Sequence, residues 1–425
     1  MKITVVGGGS TYTPELVEGF ARRAGVLPVD ELVLYDVSPE RLRVVGGLAG
    51  RILARHGFHG RLTLTADRDR ALDGADAVLI QLRVGGQAAR LVDETLPNEF
   101  GLIGQETTGP GGFAKALRTV PLVLDLAEEV RRRARPGAWI VDFTNPVGIV
   151  TRALLDAGHR AVGLCNVAIK FQRDMAVRLG VEPDRVRLGH AGLNHLSWIR
   201  SVTADGVERL PELLDGDALT ELAEQVRVPA GLIRDLGAIP SYYLHYFYCT
   251  DHELSGQLHG AHRAEQVLAI EQELLTLYED PALDRKPELL ESRGGAYYSE
   301  AAAALVTSLL TGDGAHHYVD VRNDGVIAGL PDEAVVEVPA HVDMEGPHPV
   351  PVPPLPPEML GLVQAVTAYE TLTIEAALTG DRSVARRALV ANPLVRQWDQ
   401  VAPLLDALLE ANRAYLPRFF GDADG

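Results

Sequence analysis

Along the first half of the chain, short apolar runs alternate with amphipathic stretches. Lys2–Val6, Glu31–Asp36, Arg61–Thr65, Ala75–Leu82, Ala138–Phe143 and Ala161–Leu164 read as six strands. Pro14–Arg22 and Val120–Arg133 follow helical spacing, the first with Thr13 as N-cap and Pro14 at the first helical position. Runs this apolar need cover on both faces, so they predict a parallel sheet flanked by helices. The second half changes character. Helical periodicity covers Leu210–Gln225, His262–Leu277, Ala301–Leu310, Met359–Leu378 and, with interruptions, Val384–Leu409. Leu196–Trp198, His317–Arg322 and Val335–Val338 are short β-like runs. The stretch 339–357 holds eight prolines and is expected to be an irregular, polyproline-type connector. The expected fold is α/β: a doubly wound parallel sheet over 1–190, then a mainly helical α+β domain over 191–425.

Composition narrows the function classes. The 425 residues carry 40 Lys and Arg against 58 Asp and Glu, a formal net charge of −18. That balance argues against a nucleic-acid or anionic-membrane partner, because a phosphate surface would be repelled. It leaves room for an anionic small substrate in a local arginine pocket. No apolar run reaches the ~18 residues of a membrane span, and MKITVVGGGS enters a strand directly without a signal-peptide layout. Two cysteines, Cys165 and Cys249, exclude a disulfide framework and point to the reducing cytoplasm.

The candidate chemistry begins at Gly7-Gly8-Gly9-Ser10. A Gly-x-Gly turn between a strand and a helix lets backbone approach a pyrophosphate, whose charge the helix N-terminus favours. Tyr12 occupies the third glycine's position. Asp36, ending the second strand, is placed to accept adenosine ribose hydroxyls and to repel a 2′-phosphate, so NAD is favoured over NADP. The competing reading is a tight turn without a cofactor.

Cys165 follows a strand at the sheet edge where ligands bind in such folds, and His195 lies in Gly192-Leu193-Asn194-His195. A thiolate with an imidazole suits Zn, Mn, Fe or Co, yet one Cys and one His at this separation form no specific motif. A lone cysteine is more often a small buried hydrophobe. Tyr243 sits in the aromatic run Tyr242-Tyr243-Leu244-His245-Tyr246-Phe247-Tyr248, most of whose rings are expected to pack a core or subunit interface. Tyrosine acts as a base only where a cation lowers its pKa from about 10.

Longer motifs carry a resemblance over nearly the whole chain. VVGGGSTYTPELVEGF, LIGQETTGPGGFAKALR, DFTNPVGIVT, GLCNVAI, GLNHLSW, RGGAYYSEAAAAL, RNDGVIAGLPDE and YETLTIEAAL, with the Tyr243-Leu244 pair, resemble family 4 of the glycoside hydrolases, and within it the 6-phospho-β-glucosidases. The resemblance implies a lactate/malate dehydrogenase-like sheet and a redox-elimination route in place of paired-carboxylate chemistry. NAD takes hydride from sugar C3, a base removes the acidified C2 proton, and the glycosidic oxygen is eliminated. Water then adds and the hydride returns. A divalent metal, usually Mn²⁺, acts as Lewis acid at O2 and O3.

The same resemblance implies Cys165 and His195 as metal ligands and Tyr243 as the C2 base. It also implies Asn145 and Asn166 at sugar or metal-bound oxygens, and Arg90 and Arg263 at a sugar phosphate, where a guanidinium fork fits. Arg293, in Arg293-Gly294-Gly295, is a weaker third arginine, and Gln105–Thr108 with Gly109, Gly111 and Gly112 is expected to form a loop over the nicotinamide. In α-specific relatives an acid follows the Cys; here Asn166 does, which fits the β-specific branch and leaves the leaving-group proton donor unassigned. Ala168 replaces a proline of the relatives without removing a ligand. The implied substrate is a phosphorylated disaccharide or aryl glucoside, and the implied assembly a homodimer or homotetramer. The alternatives are the same chemistry on an unphosphorylated or differently configured glycoside, and a lactate/malate-type dehydrogenase.

Overall fold

The computed structural model describes residues 1–293, 297–395 and 397–421. Gly294 and Gly295 of the arginine-glycine motif lie outside them. The six predicted strands form as β1 (Lys2–Val6), β2 (Glu31–Tyr35), β3 (Arg61–Thr65), β4 (Ala77–Ile80), β5 (Trp139–Asp142) and β6 (Ala161–Gly163). They pair in parallel in the order β3-β2-β1-β4-β5-β6, the doubly wound arrangement. Helices α1 (Thr13–Arg22), α2 (Pro39–Arg55), α3 (Gly86–Thr95), α4 (Gly109–Arg133) and α5 (Val147–Asp156) connect them, with one short helix over Arg68–Leu72 between β3 and β4, and α6 (Val167–Leu179) follows β6. Thr13 is the first helical residue of α1 rather than its cap, a place taken by Tyr12 without a side-chain cap bond.

Further strands extend the same sheet in antiparallel fashion: β7 (Val186–Leu193), β8 (Leu196–Ala204), β9 (Ala315–Arg322), β10 (Val335–Val342) and β11 (Pro347–Pro349). The order runs β8-β7-β10-β9-β6 into the parallel half, so one mixed sheet underlies both halves of the chain. The proline-rich segment is therefore less irregular than its composition suggests. Pro339 lies inside β10, its carbonyl accepting from Val350 N at 2.8 Å, and Pro347–Pro349 pairs with β10. The helical stretch predicted over 210–225 is two helices, Leu210–Leu213 and Gly216–Val226, with the Asp215 side chain accepting from Gly216 N. Of the later helices, α8 (Tyr298–Thr311) packs on β5, β9 and β10, α7 (Arg263–Tyr278) packs on α2 and α3, and α9 (Pro357–Thr379) packs on α4 and α5 and carries α10 (Arg382–Ala391) and then α11 (Trp398–Ala411). Among the described residues no helix is long and apolar enough to cross a membrane.

One row across this sheet is unusual. Asp142 on β5 pairs with Gly163 on β6, Gly163 with Asp320 on β9, Asp320 with Glu337 on β10, and Glu337 with Gly192 on β7. Residues paired in register share a face, so three carboxyl groups project to one side. All three are buried, and Glu370 of α9 joins them. Burial pushes the Asp142 carboxyl up to about 8 and Glu370 to about 7, and pushes Asp320 well above the ordinary carboxylate range. Glu337 is the partnered one: its Oε1 lies 2.6 Å from His190 Nε2, and its Oε2 accepts from Asn194 Nδ2 at 2.9 Å.

Two outcomes follow from this row. A Cβ on Gly163 would fall 2.3 Å from Thr151 Oγ1 and 2.7 Å from Asp320 Cβ. Gly163→Ala is therefore expected to cost about 1–3 kcal/mol by overpacking; a urea midpoint equal to that of the parent would show that the strands do not meet this closely. Asp142, with a folded pKa of about 8, holds a proton that the unfolded chain releases near 4. Its contribution is complete below about pH 4 and is lost as pH rises through about 8. Asp142→Asn should shrink the difference between urea midpoints taken at about pH 5 and about pH 8; an undiminished difference would count against it.

Candidate active site

The glycine loop leaves β1 at the carboxyl edge of the parallel strands, where ligands bind in doubly wound sheets. Gly7 and Gly8 donate to Tyr35 O at 3.0 and 2.8 Å, folding the loop over the end of β2. Gly7 has φ +85°, and a Cβ there would sit 2.6 Å from Gln81 O. A Cβ on Gly9 would sit 2.8 Å from Asp36 Oδ2. The Asp36 carboxylate accepts from Gly9 N at 2.9 Å and Ser38 N at 3.0 Å, one amide per oxygen. Each oxygen keeps capacity for a further donor. Ser10 N closes the turn on Gly7 O at 3.0 Å. A cradle that side chains would fill, beside a fixed carboxylate, fits the diphosphate and ribose of NAD.

Across the loop, Cys165 follows β6 and His195 occupies the β7–β8 turn, with φ +62°. Both are buried, and neither cysteine of the chain is in a disulfide. His195 Nδ1 lies 2.9 Å from Thr107 Oγ1, which orients the ring and leaves Nε2 for a metal. Burial lowers its pKa to about 4, so the imidazole is neutral and can donate a lone pair near neutral pH. Burial, then the charges of Glu337 and Asp320, pushes the Cys165 thiol well above its ordinary range. An ionised thiolate there needs a cation. Among the described residues no set of three His, Cys, Asp or Glu side chains converges to enclose a metal. Cys165 and His195 have the donor chemistry to supply two ligands of a divalent metal, with any further ligands coming from other groups.

Tyr243 stacks on His195, ring centroids 3.5 Å apart and planes 10° off parallel. It belongs to a short 3₁₀ turn, Tyr242–Leu244, that continues into a helix over His245–Tyr248, so the aromatic run supplies the site as well as the core. Burial and the neighbouring Cys165 charge push the Tyr243 hydroxyl well above 10; the Arg90 guanidinium opposes them. Asn145, beyond β5, has a buried Oδ1 with no partner among the described residues. Asn166 stands at the N-cap position of α6, next to Cys165.

Arg90, on α3, is buried rather than a surface ion pair: its Nε lies 2.7 Å from Glu94 Oε1 and 3.2 Å from Glu106 Oε1. Glu106 also pairs with Arg83 and with Lys115 Nζ at 2.6 Å. Despite full burial those three cations hold its carboxyl well below the ordinary range, while burial lowers Lys115 to about 7. The sequence placed Glu106 only within the expected nicotinamide loop, with no individual contact, and gave Lys115 no role; the one available signal for Lys115 was a lysine in a chain with only four. The glycines 109, 111 and 112 correct the loop expectation, since they form the first turns of α4 and only Gln105–Thr108 precede the helix. Arg263 stands at the margin of this cluster, since the neighbouring Ala264 N donates to Glu94 Oε2 at 2.7 Å. It is exposed at the start of α7 and donates to Gln266 Oε1 at 3.1 Å and Ser292 O at 2.8 Å. Arg293 lies over the Tyr12 ring at 4.4 Å and donates from Nε to Glu271 Oε1 at 3.0 Å.

Comparison with known proteins identifies the family. The family 4 glycosyl hydrolase model matches residues 2–181, and the model of that family's C-terminal domain matches residues 190–395. A probable 6-phospho-beta-glucosidase of Bacillus subtilis is 42% identical over 99% of this chain and 98% of its own. The 6-phospho-beta-glucosidase of Thermotoga maritima, solved with NAD and glucose-6-phosphate, superposes with a TM-score of 0.92 at 35% identity, covering 98% of this chain and 99% of that one. Another form of the same enzyme, solved with manganese, NAD+ and glucose-6-phosphate, gives a TM-score of 0.90 at 34% identity over the same shares. Matched from its glycine loop through its helical half, the chain belongs to family 4 of the glycosyl hydrolases.

Proposed function

We propose that this protein hydrolyses 6-phospho-β-glucosides, such as cellobiose-6-phosphate or an aryl β-glucoside-6-phosphate, through reversible oxidation at C3. The observation that carries the reading is the stack of Tyr243 on His195 beside the buried Cys165 thiol. The named activities and ligands of the 6-phospho-beta-glucosidases above support the substrate class.

Gly7, Gly9, Ser10 and Asp36 hold NAD by its diphosphate and ribose; Cys165 and His195 hold Mn²⁺ or another divalent metal. When bound, NAD supplies a reversible hydride acceptor and the metal supplies a Lewis acid at the sugar oxygens. Tyr243 takes the C2 proton. Burial and then the Cys165 charge hold its hydroxyl too basic to ionise unaided, so it would serve as the base only with a compensating positive charge nearby. Asn145, through its unpartnered Oδ1, and Asn166 bind sugar hydroxyls. Arg90 and Arg263 receive the 6-phosphate. Buried Glu106 keeps Arg90 in place and Thr107 keeps the His195 ring in place, so the loop between α3 and α4 orients both sides of the sugar. Burial of Cys165 and His195, with Tyr243 half-buried against them, limits the access of bulk water to the C2 proton during transfer. The compartment is the cytoplasm, where Cys165 stays reduced. A homodimer or homotetramer is the assembly, and Trp398, 64% exposed at the start of α11, is a large apolar side chain available to a partner.

Nitrophenol release from the β-glucoside-6-phosphate is expected only with NAD, Mn²⁺ and reductant together. Turnover of the unphosphorylated glucoside would keep the chemistry and replace the substrate. NADH accumulating on a hydroxy acid without hydrolysis would return the protein to the dehydrogenases. Tyr243→Phe should slow exchange of the substrate C2 hydrogen with solvent deuterium by at least ~10²-fold, the span of general-base contributions. Undiminished exchange would remove Tyr243 as the base.

A further inference from the structure

Beside the glycine loop stands a cation that the chemistry above does not use. Helix α2 carries four arginines, Arg41, Arg43, Arg51 and Arg55. Three of them strap the helix to residues 278–284. Arg43 pairs with Glu279 at 2.9 Å, Arg51 donates to Leu283 O and Tyr278 O at 2.6 and 2.7 Å, and Arg55 pairs with Asp284 at 3.0 Å. Arg41, half-buried, turns the other way, onto the loop. Its Nε donates to Gly9 O at 2.9 Å, while Gly9 N donates to Asp36 Oδ2 at 2.9 Å. Both backbone polar groups of Gly9 are thereby held. The absent side chain admits the two partners: a Cβ there would sit 2.8 Å from Asp36 Oδ2 and 2.9 Å from Arg41 Cβ.

A guanidinium has five N–H donors. Nε is committed to Gly9, and the terminal nitrogens of Arg41 have no hydrogen-bond or ion-pair partner among the described residues. Glu271 of α7, the other carboxylate whose field it shares, is engaged by Arg293 Nε and Gln87 Nε2, each at 3.0 Å. The loop runs from Gly9 through Ser10 to the start of α1. Gly9 N therefore marks the side of Asp36 and the ribose, and Gly9 O the side of the diphosphate.

We infer that Arg41 binds the adenosine-side phosphate of NAD through its terminal nitrogens. This rests on the reading of the glycine loop and Asp36 as the dinucleotide site. The bond to Gly9 O fixes the guanidinium plane before the cofactor arrives, so little side-chain freedom is left to lose on binding. The bonds formed are charge-assisted. They also offset the repulsion that the Asp36 carboxylate exerts on a phosphate beside it.

Calorimetric titration of the full-length protein with NAD, AMP and adenosine reads this contact without turnover. If the parent binds no NAD, the dinucleotide reading fails and the inference falls with it. If it binds, Arg41→Met, which keeps the stem and removes every donor, should weaken NAD and AMP about tenfold or more. Adenosine, which lacks the phosphate, should stay within about threefold. Arg43→Met, on the same helix but strapped to Glu279, should leave all three ligands within about twofold. Unchanged NAD and AMP affinity in Arg41→Met would overturn the inference. An equal loss for adenosine would overturn it too, by reducing Arg41 to a brace for the loop, and so would an equal loss in Arg43→Met, by marking a diffuse charge effect. Should Arg41→Met fail to fold, Arg41→Gln, neutral and of similar length, is read against the same three ligands and decides the question.

Discussion

The two halves of the sheet meet at a single register pair, Asp320 against Gly163, and the next junction inward is again one pair, Glu337 against Gly192. Everything in the candidate site depends on these joints. Cys165 lies two residues beyond the first glycine, and His195 three beyond the second. A slip of one residue at either joint would turn the acids to the opposite face and carry the ligand pair out of line. Glycine is the residue that permits so close an approach, because at Gly163 a methyl group would already meet Thr151 and Asp320.

Burial gives the site its chemical character. It keeps the imidazole neutral with a lone pair to donate, but it also keeps the thiol protonated and suppresses ionisation of the phenol, so those two groups lack the charge that their proposed roles need. Glu106 is the counterexample on the other wall: equally buried, it stays ionised because Arg83, Arg90 and Lys115 surround it. The contrast separates two ways of handling charge in a low-dielectric interior. One wall carries its counter-charges in the chain itself; the other, in the proposed reading, would take its counter-charge from a bound cation.

The parallel half was legible because its strands are uninterrupted apolar runs whose period leaves little choice, and all six appear within two residues of their expected ends. The antiparallel half was harder. β7 reads VRLGHAGL, in which Arg187, Gly189 and His190 break the apolar pattern, although His190 is buried against Glu337. The start of α4 was hidden by Gly109, Pro110, Gly111 and Gly112, which locally signal a loop. They are tolerated because a side chain on Gly111 would strike Asp93 O and Gln105 O at 2.3 and 2.4 Å. At the site, the ligand, base and arginine assignments came from the family resemblance and not from spacing. The acid row could not be read at all: Asp142, Asp320 and Glu337 are far apart in the chain, and only strand register puts them side by side.

The proposed ligands belong to opposite sides of the sheet's narrow joints: Cys165 hangs from the parallel half and His195 from the antiparallel half. A cation held by both is then a cross-link as well as a reagent. Separating the halves would have to release it, and thermodynamic linkage makes the converse equally true, so ion occupancy tightens the seam between them. The metal in such an arrangement acts on architecture and on substrate at once, and the fold is most cohesive in the state that is ready to turn over.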